Sequence, residues 1–241
     1  MPERIYIVSP PDDVREELIA SIHYLMPRLE CVEIEHPITE PLADAELVLS
    51  FDTKVEHFLA LCRHADLSNV GVVQVRMQSF ELDNDEFDDV WESPLLDEGA
   101  RVMLLDFPML AVRLFPDVQK EIDHAGEREL DDSSFFNIVT VPDLSRVTAS
   151  VIAQLVSGCE NWGRYTYATG GKVTWHRLVA FLCDDTQEDT TSKLVAGAGI
   201  GLDRSLDGEP LKCAFGIKPK PWRVGLLDRW RAFSSSNKKP S

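Results

Sequence analysis

Apolar residues along this chain fall in short continuous runs separated by stripes at helical spacing, the alternation of a sheet covered on both faces. Ile5-Tyr6-Ile7-Val8 is the first run and predicts a strand. Val14, Leu18, Ile19, Ile22, Leu25 and Met26 then recur at the period of an amphipathic helix. Residues 32–34 predict a second strand, 45–51 a third and 70–75 a fourth. Between the last two, Thr53-Lys54-Val55-Glu56 has the form of a capping box. It predicts a helix with Val55, Phe58, Leu59 and Cys62 turned inward. Residues 81–92, dense in Asp and Glu, read as a loop, and 109–114 as a fifth strand.

From about Phe135 the pattern starts again. Residues 136–140 read as extended, and Pro142 suits the first turn of a helix. Leu144, Val147, Thr148, Val151, Ile152, Leu155 and Val156 give that helix its buried stripe. Residues 164–168 predict a strand ending at Gly170-Gly171, and Thr174 a cap for a helix that buries Trp175, Leu178, Val179 and Leu182. Residues 219–230 read as a closing turn and short helix. These elements predict an α/β fold: a shortened, Rossmann-like, doubly wound parallel sheet with a small C-terminal lobe of substrate-binding type. The expected division is a Rossmann-like half over 1–134, a part over 135–233 that completes the sheet and forms the lobe, and a flexible tail over 234–241.

The turn after the first strand carries the sharpest expectation. It reads Ser9-Pro10-Pro11-Asp12-Asp13, where a dinucleotide-binding unit has glycines that let its backbone approach a pyrophosphate. Prolines supply no N–H donor. Aspartates repel a phosphate and already occupy the positive end of the helix dipole. The turn therefore predicts a Rossmann-like start without the usual cofactor grip.

Composition narrows the function classes. The 241 residues carry a net charge of −17. Seven Lys/Arg from Gly216 onward face Asp228 alone, a balance of +6, which leaves −23 for the rest. An acidic body disfavours nucleic acid and anionic membrane as partners, and Lys238-Lys239 reads as a solvated terminus. No apolar run approaches the length of about 18 residues needed to cross a bilayer, and no signal-peptide pattern opens the chain. Cys31, Cys62, Cys159, Cys183 and Cys213 are scattered. The expectation is a cytoplasmic protein with cysteines used as small apolar residues.

Other constellations reduce to structure. The six histidines have no metal-ligand spacing, and Asp83, Asp85, Asp88 and Asp89 lack the glycine and glutamate of a calcium loop. Cys62 and His64 point apart on a helix. Gly197-Ala198-Gly199-Ile200-Gly201 does not follow the first strand of a βαβ unit and reads as a connection. Gly170-Gly171-Lys172 lacks the flanking residues of a phosphate loop and reads as a turn. Trp222 reads as a core anchor.

Three stretches carry a resemblance. TVPDLSRV (140–147), WGRYTYATGGKVTWHRLVAFL (162–182) and LKCAFGIKPKPWRVGL (211–226) resemble the substrate-binding end of the dTDP-4-dehydrorhamnose reductase family, a branch of the extended short-chain dehydrogenases. The resemblance implies a Rossmann fold, NADPH or NADH, and reduction of a keto group on a nucleotide-linked sugar. It also implies a Ser/Thr that polarises the carbonyl, a Tyr that donates a proton and a Lys that lowers the Tyr pKa. Where the family has S-T-D-Y-V-F this chain has Arg76-Met77-Gln78-Ser79-Phe80-Glu81. Where Y-G-x-S-K belongs it has Glu98-Gly99-Ala100-Arg101-Val102, with Glu98 at the tyrosine and Val102 at the lysine. Arg101 supplies charge at another spacing and cannot relay a proton.

The functional expectation is a non-catalytic, reductase-like pseudoenzyme that acts by binding, with no cofactor and no metal. It serves as a regulatory or scaffold subunit on a protein partner, or as a sensor of a nucleotide sugar. A non-catalytic relative that serves as a regulatory subunit of methionine adenosyltransferase is the precedent within the resemblance for a protein partner. Lys172, Trp175 and Arg223 are the candidates in the substrate-type lobe. The alternative is a divergent NAD(P)-dependent sugar-nucleotide reductase.

Overall fold

The structure, a computed structural model, describes residues 3–35, 42, 44–78, 101–124, 128–186, 194–199 and 201–237. The acidic stretch 81–92, Ser79, Glu98, Ile200 and Lys238-Lys239 lie outside the described residues. The elements in chain order begin with β1 (Arg4–Val8), α1 (Asp12–Leu25), β2 (Glu30–Ile34), β3 (Leu47–Ser50), α2 (Val55–Ser68), β4 (Gly71–Met77) and β5 (Val102–Phe107). There follow β6 (Met109–Leu110), α3 (Ala111–Asp123), β7 (Arg128–Asp131), β8 (Phe135–Phe136), β9 (Ile138–Val139) and α4 (Val141–Val156). The last are β10 (Gly163–Thr166), α5 (Trp175–Thr186), β11 (Leu194–Gly197), β12 (Asp203–Arg204), α6 (Glu209–Phe215) and α7 (Leu226–Asn237).

Two compact units share the chain. One takes Met1–Phe107, Val141–Tyr167 and Glu209–Ile217; the other takes Pro108–Thr140, Ala168–Gly208 and Lys218–Ser241. The first unit holds a six-stranded sheet in the order β10-β5-β4-β3-β1-β2, with every pairing parallel. Strand order reverses between β1 and β3, the switch point outside which open α/β sheets bind ligands. Tyr6, Val8, Val48, Val72, Val102 and Leu104 pack on Phe58, Leu61, Cys62 and Ala65 of α2. Residues of the other parity, among them Ile5, Ile7 and Leu49, are buried as well, and α1 packs along α4. Both faces are covered, as the continuous apolar runs require.

In the second unit α3, α5 and α7 enclose a core that includes Phe115, Val118, Leu178, Leu182, Leu226 and Trp230. Trp230 is fully buried, edge-on to Phe115 at 5.3 Å and stacked on Phe233 at 5.7 Å. Short parallel ladders, β7 with β11, β8 with β12 and β6 with β9, complete this unit.

The doubly wound parallel sheet is as the sequence predicts, and three local expectations need correction. The fifth strand is not 109–114 but Val102–Phe107; Met109 and Leu110 form only a two-residue ladder, and α3 begins at Ala111. Pro116 lies inside that helix and disguised it, since an interior proline normally argues against one. Thr53 does not cap α2. The cap position is Lys54, with no side-chain cap bond; Asp52, in the turn before it, accepts from the Lys54 N–H at 2.9 Å and pairs with His57 at 2.8 Å. Leu25, expected on the buried stripe of α1, is exposed, and Val14, Leu18 and Ile22 carry that face. Thr174 does cap α5, accepting from the Arg177 N–H at 3.3 Å. Among the described residues no helix is long and apolar enough to cross a membrane.

Candidate functional site

The turn between β1 and α1 keeps a glycine-like backbone without a glycine. Ser9 directly follows β1 at φ +50°, in the left-handed region that favours glycine. Its N–H faces the Ile34 carbonyl at 3.4 Å. Pro10 and Pro11 have no N–H to offer, and Pro11 occupies the cap position of α1 with no side-chain cap bond. Its carbonyl accepts from the Val14 and Arg15 N–H groups at 2.9 and 3.0 Å. Arg15 folds back over the turn, 3.2 Å from Asp12 and 3.0 Å from Glu33. Ser9, Pro10, Arg15, Glu33, Ile34 and Glu35 line an open cleft of about 490 Å³ beside the ends of β1 and β2.

A row of polar side chains crosses the carboxyl ends of the neighbouring strands. The Ser50 hydroxyl accepts from the Asp52 N–H at 3.3 Å, and the Gln74 amide donates to the Asp52 carbonyl at 2.9 Å. Arg76 grips Asp106 with two bonds, Nε to Oδ1 at 2.5 Å and Nη2 to Oδ2 at 2.7 Å. Arg164 adds a third bond to Asp106 Oδ2 at 3.0 Å. The Tyr167 N–H donates to the Asp106 carbonyl at 2.8 Å, and its hydroxyl donates to Asp143 Oδ2 at 2.5 Å. Asp143 also accepts from Arg146 at 2.8 and 2.9 Å. Arg76 and Met77 stand where the resemblance puts the carbonyl-polarising hydroxyl. Here that place holds a guanidinium committed to a buried carboxylate.

Val102 is buried in the apolar cluster under α2 at the first residue of β5. Arg101 precedes it, with its guanidinium 5.3 Å from the centre of the Trp162 ring and donating to the Asn69 carbonyl at 3.3 Å. Both therefore sit at the amino end of their strand, away from the Ser9 turn.

The lobe candidates lie in the second unit, each engaged locally. Lys172 Nζ is 2.5 Å from Asp203 and 4.5 Å from the centre of the Phe135 ring. The Lys172 ammonium and the Ser205 hydroxyl and N–H hold the Asp203 carboxyl down at about 2. Trp175 packs half-buried against the core. The Arg223 guanidinium lies 4.7 Å from the Trp222 ring and 5.4 Å from Phe181. Trp222 is itself a buried core residue, edge-on to Phe181. The Gly170-Gly171 turn docks on this corner, Gly170 N–H donating to the Lys220 carbonyl at 2.7 Å. Gly199 in the other glycine stretch abuts the Asp131 carboxylate, its N–H donating to Ser133 Oγ at 2.9 Å. Among the described residues, no group of three or more His, Cys, Asp or Glu is arranged to hold a metal ion.

Sequence reasoning missed Asp106, Arg164 and Asp143 as partners, though a signal existed. Arg76 and Asp106 each break an apolar run, and parallel pairing of β4 with β5 places them directly opposite one another.

No protein-family model matches the chain, and no curated protein matches it. Solved structures do. A dTDP-4-dehydrorhamnose reductase from Clostridium acetobutylicum is 13% identical, with 96% of this chain and 99% of that one covered at a TM-score of 0.69. A UDP-N-acetylglucosamine 4-epimerase from Bacillus cereus is 10% identical, with 99% of each chain covered at 0.69. A dTDP-glucose 4,6-dehydratase from Streptomyces venezuelae, solved with NAD bound, is 17% identical, with 96% and 97% covered at 0.69. The fold is the one these sugar-nucleotide enzymes share. The resemblance in the C-terminal stretches and the match in three dimensions thus point to the same structural group.

Several of those enzymes are solved with NAD or NADP, and the turn of this chain is a poor fit for such a dinucleotide. A pyrophosphate rests on N–H groups at the start of a helix. Here two consecutive residues of the turn have none, and the next two are acidic. Arg15, which lines the cleft beside the turn, is held between Asp12 and Glu33.

Proposed function

We propose that this protein acts by binding and not by hydride transfer. It keeps the reductase fold as a platform and works as a regulatory or scaffold subunit on a protein partner, or as a sensor of a nucleotide sugar. The observation that carries the reading is the Ser9–Asp13 turn: a left-handed serine, two prolines and two aspartates, with Arg15 drawn to Glu33. The commitment of Arg76 to Asp106, where a carbonyl-polarising hydroxyl would stand, supports it independently. Lys172, Trp175 and Arg223 are the lobe residues we assign to contact with a nucleotide-sugar ligand. The acidic body argues against nucleic acid and membrane as partners, and a reducing cytoplasm suits the five cysteines, none of which is disulfide-bonded.

A divergent NAD(P)-dependent sugar-nucleotide reductase is the second reading, favoured by the near end-to-end match to enzymes solved with NAD or NADP. One titration separates the two. Tryptophan fluorescence of the full chain should show no saturable binding of NADPH or NADH. Saturation below about 100 μM, worth about 5.5 kcal/mol, overturns the cofactor-free reading. Where neither cofactor binds, stoichiometric co-purification of one protein from the native host identifies the scaffold role.

A further inference from the structure

We propose that the turn Lys218–Gly225 is a docking ridge for an acidic segment of a protein partner. This rests on the reading that the protein acts by binding, and deepens it by naming the surface and the partner's chemistry.

The chain holds 24 Lys/Arg against 41 Asp/Glu, yet seven of those cations and a single carboxylate, Asp228, lie from Lys218 onward. Asp228 is itself 3.7 Å from Arg231. Every residue of the turn except Trp222 is exposed. Trp222 is the anchor, buried in the core of the second unit and edge-on to Phe181 at 5.1 Å. Backbone bonds stiffen the turn around it. Gly170 N–H donates to the Lys220 carbonyl at 2.7 Å, and Val224 N–H to the Pro221 carbonyl at 3.0 Å. Pro219 and Pro221 each fix a φ angle. A surface ordered before its partner arrives loses little conformational entropy on binding.

Arg223 is the residue that points to an anion. Its guanidinium lies 4.7 Å from the Trp222 ring and 5.4 Å from the Phe181 ring, so aromatic faces hold it in place. Among the described residues, neither Arg223 nor Lys218 is paired with a carboxylate. A stacked guanidinium keeps the planar fork of donors that matches a carboxylate with two bonds, and arginines are among the residues that dominate interfaces. Helix α7 begins directly after the turn and adds the positive end of its dipole. Val224, 54% exposed, offers an apolar contact beside the charge. An exposed turn suits a macromolecule, since small ligands bind in concave sites. The excess of carboxylates elsewhere in the chain repels a long polyanion, which disfavours nucleic acid against a short acidic segment.

Fluorescence anisotropy of a labelled oligo-glutamate peptide, titrated with the full chain at low salt, tests this. Binding should saturate below about 1 mM and weaken severalfold between about 50 and 200 mM salt. Arg223→Glu should weaken it about tenfold; Arg223→Lys, which keeps the charge and loses the stacked fork, about threefold. Lys218→Glu, at an exposed residue outside the aromatic stack, should also weaken it severalfold. An unchanged urea midpoint for that variant separates docking from any loss of folding. No saturation up to about 1 mM, or binding that either charge reversal leaves unchanged, overturns the inference. A DNA oligonucleotide of equal charge that binds more tightly than the peptide overturns it as well. So does displacement of the peptide by UDP-glucose, which would give Arg223 to a nucleotide sugar. Each of these outcomes leaves the cofactor-free reading standing, and saturable NADH binding overturns that reading alone.

Discussion

Arg76 and Asp106 face each other across β4 and β5, with Nε 2.5 Å from Oδ1 and Nη2 2.7 Å from Oδ2, and the arginine side chain is only 7% exposed. A two-pronged pair of this kind fixes both side chains in one plane, but its net contribution is set by desolvation as much as by attraction. The consequence for mutation is asymmetric. Asp106→Asn leaves Arg76 buried beside an amide and takes one carboxylate from Arg164, and should destabilise by about 3 kcal/mol. The apolar pair Arg76→Met with Asp106→Leu should be far closer to neutral. Urea midpoints at constant slope measure both, and a cost under about 1 kcal/mol for Asp106→Asn would show the pair to be solvated.

Tyr167 carries a related test on the other side of β5. It is 1% exposed, tilted against Phe107 at 5.7 Å, with its hydroxyl 2.5 Å from the buried Asp143 carboxylate. A hydrogen bond to a charged acceptor of this kind is worth about 1.5–3 kcal/mol. Tyr167→Phe should therefore lower stability by about 2 kcal/mol. Asp143→Asn in the Tyr167→Phe background should cost less than it does in the parent chain, because the two groups share one bond. A double-mutant cycle by urea unfolding reads the difference, and strict additivity would remove the claim.

What was legible in the sequence follows from how each feature is encoded. Runs such as Ile5-Tyr6-Ile7-Val8 and the stripe Val14, Leu18, Ile22 state their own burial, and they appear as β1 and the inner face of α1. The stripe of α4 was equally plain. Helix α3 was not, because Pro116 contradicts the period of Leu114, Phe115, Val118 and Ile122, and the packing of those residues outweighs one lost hydrogen bond. The Thr53 capping box failed because the helix starts one residue later than it requires, with Lys54 at the cap position, while Asp52 serves the Lys54 N–H and His57 in the turn before it. At the candidate site the sequence displayed the prolines and aspartates of the turn openly. It hid the seating of Arg15 on Glu33 and the left-handed backbone of Ser9, since each depends on where β2 lies beside β1.

Acid stability in the second unit should depend on two carboxylates. Hydrogen bonds from Ser134 and Ser133 hold Asp131 at about 2, and Lys172 with Ser205 holds Asp203 at about 2. Both folded values lie below the ordinary 3.8. The native state therefore binds fewer protons than the unfolded chain, so their contribution is present above about pH 4 and is lost as the pH falls toward about 2. Asp131→Asn with Asp203→Asn should be less stable than the parent chain at pH 6 and should lose less on acidification from pH 4 to 2. Fluorescence of Trp222 and Trp230, both in the core of this unit, follows the unfolding. Parallel acid limbs for parent and variant would assign the acid sensitivity to other groups.

Ser9 allows the turn to be dissected one residue at a time. Its φ of +50° is a conformation that an L-residue holds at a cost of about 1–2 kcal/mol and glycine holds freely. Glycine in turn loses about 0.5–1 kcal/mol more backbone entropy on folding. Ser9→Gly should therefore be neutral or more stable, by up to about 1 kcal/mol. It restores the residue type a dinucleotide turn begins with, yet it should not restore NADH binding. Pro10 and Pro11 still supply no N–H, Asp12 and Asp13 still carry their charge, and Arg15 stays on Glu33. Thermal unfolding and an NADH titration on the same preparation give both numbers. Saturable NADH binding by Ser9→Gly alone would mean that backbone conformation, and not the missing donors or the aspartates, is what excludes the cofactor.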